Sequence, residues 1–218
     1  MIWPTVIVDN FFDNPHEIIK ASKNFTFKKD LEGRWPGERS DDISILDNKM
    51  FNWINYKIVR LLYPMDHQKM SWKAIQYFQK VDGNIYNTEG WVHSDSPMEF
   101  TVIIYLSNHK NCGTSLFDKT TFFNSVSHLK EKQEMYLKKD MKNGLKNLKK
   151  NNEKFEKKLT INSRFNRLVL FDSNQFHAAD SFKEEKYENE ERFTLITFFS
   201  SLNSEDIKYP ITEMKRDY

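Results

Sequence analysis

The 218-residue chain is poor in the residues that usually shape small or irregular folds: one cysteine, Cys112, six glycines and six prolines. A single thiol excludes an internal disulfide and any zinc or iron–sulfur centre built from several thiolates, and it suits a reducing compartment. No Pro/Gly/Ser-rich stretch marks a linker, and no internal repeat appears. The chain has no apolar run of 18 residues, and mean hydropathy is −0.73, so no membrane span is expected. Met1 to Thr5 carry no basic segment ahead of a long apolar stretch. No secretory leader is therefore expected, and the expected location is cytoplasmic. Neither sign of charge dominates: 33 basic against 31 acidic side chains leave +2, which gives no general attraction to nucleic acid. Arginine is also scarce, at seven, so each one carries weight.

Aromatic residues are plentiful at 15%, with 18 Phe, 9 Tyr and 5 Trp, which excludes a disordered chain. The length suits one domain over residues 1–218, able to bury roughly 70% of its unfolded surface. Thr5 to Val8 reads as a short strand. Asp13 or Asn14 is placed to cap a helix with Pro15 in its first turn and Ile18, Ile19, Ser22 and Phe25 on one face. Asp47 is placed to cap a second helix, whose apolar residues Phe51, Ile54, Ile58, Leu61 and Leu62 recur at helical spacing and which Pro64 ends. From Ser71 the pattern changes to short apolar strands: Trp72–Val81, Trp91–Asp95, Phe100–Leu106, Thr114–Phe117, Arg167–Phe171 and Phe193–Phe199. Two helices followed by many short strands predict an α+β fold with a jelly-roll core buttressed by the N-terminal helices.

One segment interrupts the strands. Between His128 and Lys158 lie 11 Lys and five acidic residues. Leu137, Met141, Leu145, Leu148, Phe155 and Leu159 fall three, four or seven residues apart, so residues 127–159 are expected to be a mostly helical insert. The apolar stripe would lie on the body and the lysines in water. The alternative, a docking face for an anionic partner, has no regularly interleaved Arg or aromatic residue to support it.

Of the six histidines, only His93 has an acid two residues on, in Trp91-Val92-His93-Ser94-Asp95. Residues i and i+2 of a strand face the same way, so His93 and Asp95 can meet one cation. Taken alone, six His among so many acids would give such a pair about once by chance. A third donor completes a two-His, one-carboxylate face, which suits Fe(II) and leaves three coordination positions open. His177 is the best third donor, since it follows the apolar strand Arg167–Phe171 and a tight turn. His109 sits in a polar turn and His128 opens the Lys-rich segment. Fifteen residues beyond His177, Arg192 and Thr194 share one face of the strand Arg192–Phe199. A buried guanidinium stays charged and demands an anion, and a carboxylate with a hydroxyl beside it would satisfy it.

From Ser71 to Phe199 the order of these motifs resembles the 2-oxoglutarate- and Fe(II)-dependent dioxygenases, in particular the prolyl-hydroxylase-like branch. The resemblance rests on His93-x-Asp95, the strand Thr101–Ser107, Gly113-Thr114 before Leu116-Phe117, the strand Leu168–Phe171, the distal His177 and Arg192-x-Thr194. It implies a double-stranded β-helix and a metal site of His93, Asp95 and His177 with catalytic function. It also implies that Arg192, with Thr194, grips the far carboxylate of 2-oxoglutarate. The implied reaction uses Fe(II), 2-oxoglutarate and O2 to hydroxylate a C–H bond of a small molecule or peptide, releasing succinate and CO2. Cys112 stands where the branch often has a paired glycine, and the basic insert is an addition. Tyr77 and Tyr105 could contact the cosubstrate, although core packing accounts for both. Two alternatives are an oxygenase that does not use 2-oxoglutarate and a metal-binding jelly-roll protein without turnover. A related halogenase is disfavoured by Asp95, because that chemistry vacates the carboxylate position.

Overall fold

The computed structural model describes residues 5–86, 88–120, 129–137, 141–182 and 191–204. In chain order these form β1 (Val6–Val8), α1 (Pro15–Ser22), β2 (Phe27–Lys29), β3 (Glu38–Ser40), α2 (Ile43–Leu46), α3 (Asn48–Leu62), β4 (Ser71–Asp82), β5 (Phe100–Tyr105), β6 (Thr114–Lys119), α4 (Leu129–Tyr136), α5 (Met141–Asn152), β7 (Phe155–Ile161), β8 (Leu168–Asp172), β9 (Phe176–Ala179) and β10 (Glu191–Asn203). Seven strands pair in the order β1-β8-β5-β10-β4-β3-β2, and three in the order β7-β6-β9. The result is the expected double-stranded β-helix with helices at the N-terminus.

Period-two patterning explains why the large sheet is covered on both faces. All six residues of β5 are buried. Phe100, Val102 and Ile104 point toward the helices, where they join Phe51, Ile54 and Ile58 of α3 and Phe78, Leu168, Leu195 and Phe199 from neighbouring strands. Ile103 and Tyr105 point the other way and pack with Leu116, Ile161, Val169 and Phe171 between the sheets. The helices begin largely as their sequences dictate. The Asp47 carboxylate accepts a 2.9 Å hydrogen bond from Met50 N, and Tyr63, the residue before Pro64, ends α3. At α1 the N-cap is Asn14 and Pro15 opens the helix, but no side chain closes the cap; Asp13 instead meets Lys57 Nζ at 2.8 Å.

The insert differs from its pattern. Residues 127, 128 and 138–140 lie outside the described positions, as does the Met141 side chain. The rest forms two helices and then an edge strand, so Phe155 and Leu159 belong to β7. Phe155 packs on Phe176 at 4.8 Å, whereas Glu156, Lys157 and Lys158 face out. Charged edge residues that guard against strand addition look, in sequence, like the solvated face of a helix. Of the expected stripe, Leu148 is buried with Trp91, Met135 and Tyr136, Leu137 is half-buried, and Leu145 is 40% exposed. Leu148→Ala is therefore expected to cost about 2–4 kcal/mol in chemical denaturation. Leu145→Asp, Lys146→Glu and Lys149→Glu should each stay within about 0.5 kcal/mol of wild type, as exposed helix positions do.

Candidate metal centre and its cavity

Two short backbone segments meet at the open edge of the small sheet. His93 N donates to His177 O at 3.0 Å and His177 N donates to His93 O at 2.8 Å, so the two histidines are directly paired across an antiparallel bridge. Gly90 lies against Ala179 just before it: a Cβ there would stand 2.8 Å from Ala179 N, so only glycine lets the segment approach. Beyond the bridge, Asp95 N donates to Ser173 O at 2.8 Å. This pairing turns His93, Asp95 and His177 onto one point, with their donor atoms all within 4.8 Å of one another.

The protonation pattern of the imidazoles follows from their partners. His93 Nδ1 lies 2.7 Å from Trp91 O, and His177 Nδ1 lies 2.9 Å from Gln175 O. A carbonyl can only accept, so each Nδ1 carries the hydrogen and each Nε2 turns toward Asp95. His93 Nε2 is 3.5 Å from Asp95 Oδ1, and His177 Nε2 is 3.2 Å from Asp95 Oδ2. Burial, then the charge of Lys132, brings the His93 pKa down to about 4. Burial works against the Asp95 carboxylate, but the two imidazoles, His177 first, hold its pKa well below the usual range. At neutral pH a lone-pair Nε2 of His93 thus faces an ionised carboxylate. Two acceptors face each other stably only with a cation between them, and this donor set fits a divalent ion. Thr101 Oγ1 donates to Asp95 Oδ2 at 2.8 Å and meets Ser173 Oγ at 3.0 Å, which fixes the carboxylate plane. The His177 ring rests on Phe171 at 4.6 Å. The other described histidines do different work: His67 meets the Tyr56 hydroxyl at 2.6 Å, the His16 ring packs at a tilt against Phe165, and His109 contacts Ser107.

The three groups open into a cavity of about 450 Å3 between the sheets, which Thr114, Arg192 and Ile196 also line. Arg192 is buried on the inner face of β10. Its Nε donates to Cys112 O at 2.9 Å, and its guanidinium carbon lies 5.5 Å from the centre of the Tyr105 ring. Among the described residues no carboxylate pairs with it. The carbonyl it uses belongs to a segment that runs close against the end of β7, where a Cβ on Gly113 would stand 2.0 Å from Ile161 O. Tyr105 binds Thr114 Oγ1 at 2.7 Å, and burial raises its pKa. Thr194 is fully buried two residues beyond Arg192, and its hydroxyl has no hydrogen-bond partner among the described residues. A buried cation and a buried hydroxyl on one strand face, both lacking an anionic partner, fit one end of a dicarboxylate.

Sequence reasoning missed a second group of cations. Arg39 of β3 and Lys132 of α4 line the same cavity. The Arg39 guanidinium lies over the Trp35 ring, 4.3 Å from its centre. Burial lowers Arg39 to about 10 and Lys132 to about 8, so both are protonated at neutral pH. The expectation that the insert's lysines all face water is corrected here. The available signal was helical spacing: Leu129, Lys132 and Tyr136, three and seven residues apart, share one face and all line the cavity.

The architecture is a fold shared with solved 2-oxoglutarate- and Fe(II)-dependent oxygenases, and the His-Asp-His group opens inward from it. The chain itself belongs to the family of unknown function DUF6445, whose model matches residues 3–199. No curated protein matches the sequence. Among solved structures, HygX from Streptomyces hygroscopicus, with nickel, 2-oxoglutarate and hygromycin B bound, aligns with a TM-score of 0.56 and 9% identity over 91% of this chain and 83% of that one. The non-haem α-ketoglutarate-dependent epimerase SnoN from nogalamycin biosynthesis aligns at 0.54 and 9% identity, over 93% and 81%. An oxidoreductase of the 2OG-Fe(II) oxygenase family from Burkholderia pseudomallei aligns at 0.51 and 12%, over 90% and 84%. Among the described residues no helix is long and apolar enough to cross a membrane.

Proposed function

We propose that this chain is a non-haem Fe(II)- and 2-oxoglutarate-dependent oxygenase that hydroxylates a C–H bond of a small molecule or peptide. The observation that carries the reading is the pair of imidazole Nε2 atoms turned on one ionised carboxylate, each held by its own Nδ1–H bond. His93, Asp95 and His177 would hold Fe(II) on one face. When bound, Fe(II) with 2-oxoglutarate supplies the oxidising chemistry: O2 is consumed, 2-oxoglutarate is decarboxylated to succinate and CO2, and one oxygen atom enters the substrate. Arg192 and Thr194 bind and orient the far carboxylate of 2-oxoglutarate, with Tyr105 and Thr114 as the adjoining polar wall. Thr101 keeps the Asp95 carboxylate turned to the metal. Ile103 and Ile196 line the cavity and Phe171 backs the His177 ring, giving the site an apolar wall against water. The chain acts as one domain spanning residues 1–218, in the cytoplasm, with no nucleic-acid partner.

The test is stepwise. Metal-free protein is expected to bind one divalent ion per chain, then to bind 2-oxoglutarate only once the ion is present. With Fe(II) and air it should release succinate slowly even without a primary substrate. Metal binding without 2-oxoglutarate binding would favour an oxygenase that uses another reductant. Metal and 2-oxoglutarate binding without O2-dependent succinate would leave a jelly-roll binding protein.

A further inference from the structure

The cavity holds more positive charge than the reaction proposed above uses. Asp95 is the only carboxylate among its described lining residues, against Arg34, Arg39, Lys132 and Arg192. Arg34 is already neutralised, since its guanidinium meets Asp30 at 3.1 Å and Glu32 at 3.4 Å. A divalent metal, the Asp95 carboxylate, dianionic 2-oxoglutarate and Arg192 cancel one another. Arg39 and Lys132 remain, and among the described residues neither has a hydrogen-bond or ion-pair partner. The Arg39 Nε is buried without an acceptor. Its guanidinium is held against Trp35 rather than free to swing into solvent, and Lys132 reaches the same cavity from a different element, α4. Two cations without a hydrogen-bond or ion-pair partner, on separate elements that line one cavity, are costly unless a ligand brings matching charge.

We propose that Arg39 and Lys132 form the anion subsite for the primary substrate, and that the substrate carries a dianionic oxyanion, a phosphate monoester in first place. The inference rests on the oxygenase reading, since it assigns Arg192 to the cosubstrate and leaves these two cations to the molecule being oxidised. A planar guanidinium takes two phosphate oxygens side by side and an ammonium takes a third, which suits a tetrahedral dianion better than a lone carboxylate.

Inorganic phosphate and acetate are the probes, titrated calorimetrically into metal-free protein, and 2-oxoglutarate is titrated separately into nickel-loaded protein. Wild type should bind phosphate. Arg39→Gln and Lys132→Gln should each weaken it at least about tenfold, while 2-oxoglutarate affinity changes less than about threefold. Arg192→Gln should do the reverse, keeping phosphate and losing 2-oxoglutarate. Acetate bound more tightly than phosphate, and lost in the same two variants, would support the subsite and assign it to a carboxylate. No anion binding by wild type, phosphate binding lost only in Arg192→Gln, or 2-oxoglutarate binding lost in Arg39→Gln would overturn the proposal. Failure of the oxygenase reading shows elsewhere, as wild-type protein that takes up nickel but no 2-oxoglutarate.

Discussion

Asp95→Ala is expected to abolish stoichiometric metal binding and to lower metal-dependent succinate formation by at least about a thousandfold. The loss should exceed the roughly 10- to 100-fold that follows removal of a group merely supporting a ligand. Asp95 is the only charged donor of the three, so without it two neutral imidazoles must hold a divalent ion unaided. His93→Ala should lose binding comparably. The fold should survive both changes, because the bridge between the segments is made by main-chain atoms of His93 and His177. Circular dichroism and thermal unfolding check this. Thr101→Val gives a graded comparison: it removes the hydroxyl that bonds both Asp95 Oδ2 and Ser173 Oγ, and metal affinity should fall about 10- to 100-fold. Metal binding that is unchanged in Asp95→Ala would sink the proposed site.

Arg192→Ala is expected to weaken 2-oxoglutarate by about 2–5 kcal/mol, since it truncates one side of a buried charged pair. That is roughly 30- to 5,000-fold in apparent affinity. Metal affinity should not change, because Arg192 donates to Cys112 O and sits beside Tyr105 rather than against the triad. Arg192→Lys should recover part of the loss, keeping the charge without the planar fork. Titration of 2-oxoglutarate into metal-loaded protein separates the cases. An Arg192→Ala variant with wild-type 2-oxoglutarate affinity would leave the residue a structural role only.

Much of this architecture was readable because strand alternation and helix caps are local signals. The β5 pattern Phe100-Thr101-Val102-Ile103-Ile104-Tyr105 gives a strand covered on both sides, and Asp47 marks the start of α3. The convergence of His93, Asp95 and His177 was legible as well, through two-residue spacing and the strand-then-turn setting of His177. Three strands were not. β2, β3 and β7 are short or highly charged, and β3 and β7 join their sheets through β4 and β6, far from them along the chain. Trp91–Asp95, expected as a strand, makes a single regular pair at His93. Arg39 was hidden for the same reason. Its place in the cavity depends on β3 pairing with β4, where Arg39 lies opposite Gln79, a contact between residues 40 positions apart that no short window shows.

The hydrogen bonds from His93 Nδ1 to Trp91 O and from His177 Nδ1 to Gln175 O each span only two residues of their own segment. Each imidazole is therefore aimed by its immediate backbone before any ion arrives. Nitrogen and oxygen donors of this kind do not favour iron by affinity alone, because nickel, copper and zinc rank above ferrous iron at them. For iron to be the occupant, as proposed, site geometry and metal availability together have to supply the selectivity that affinity lacks.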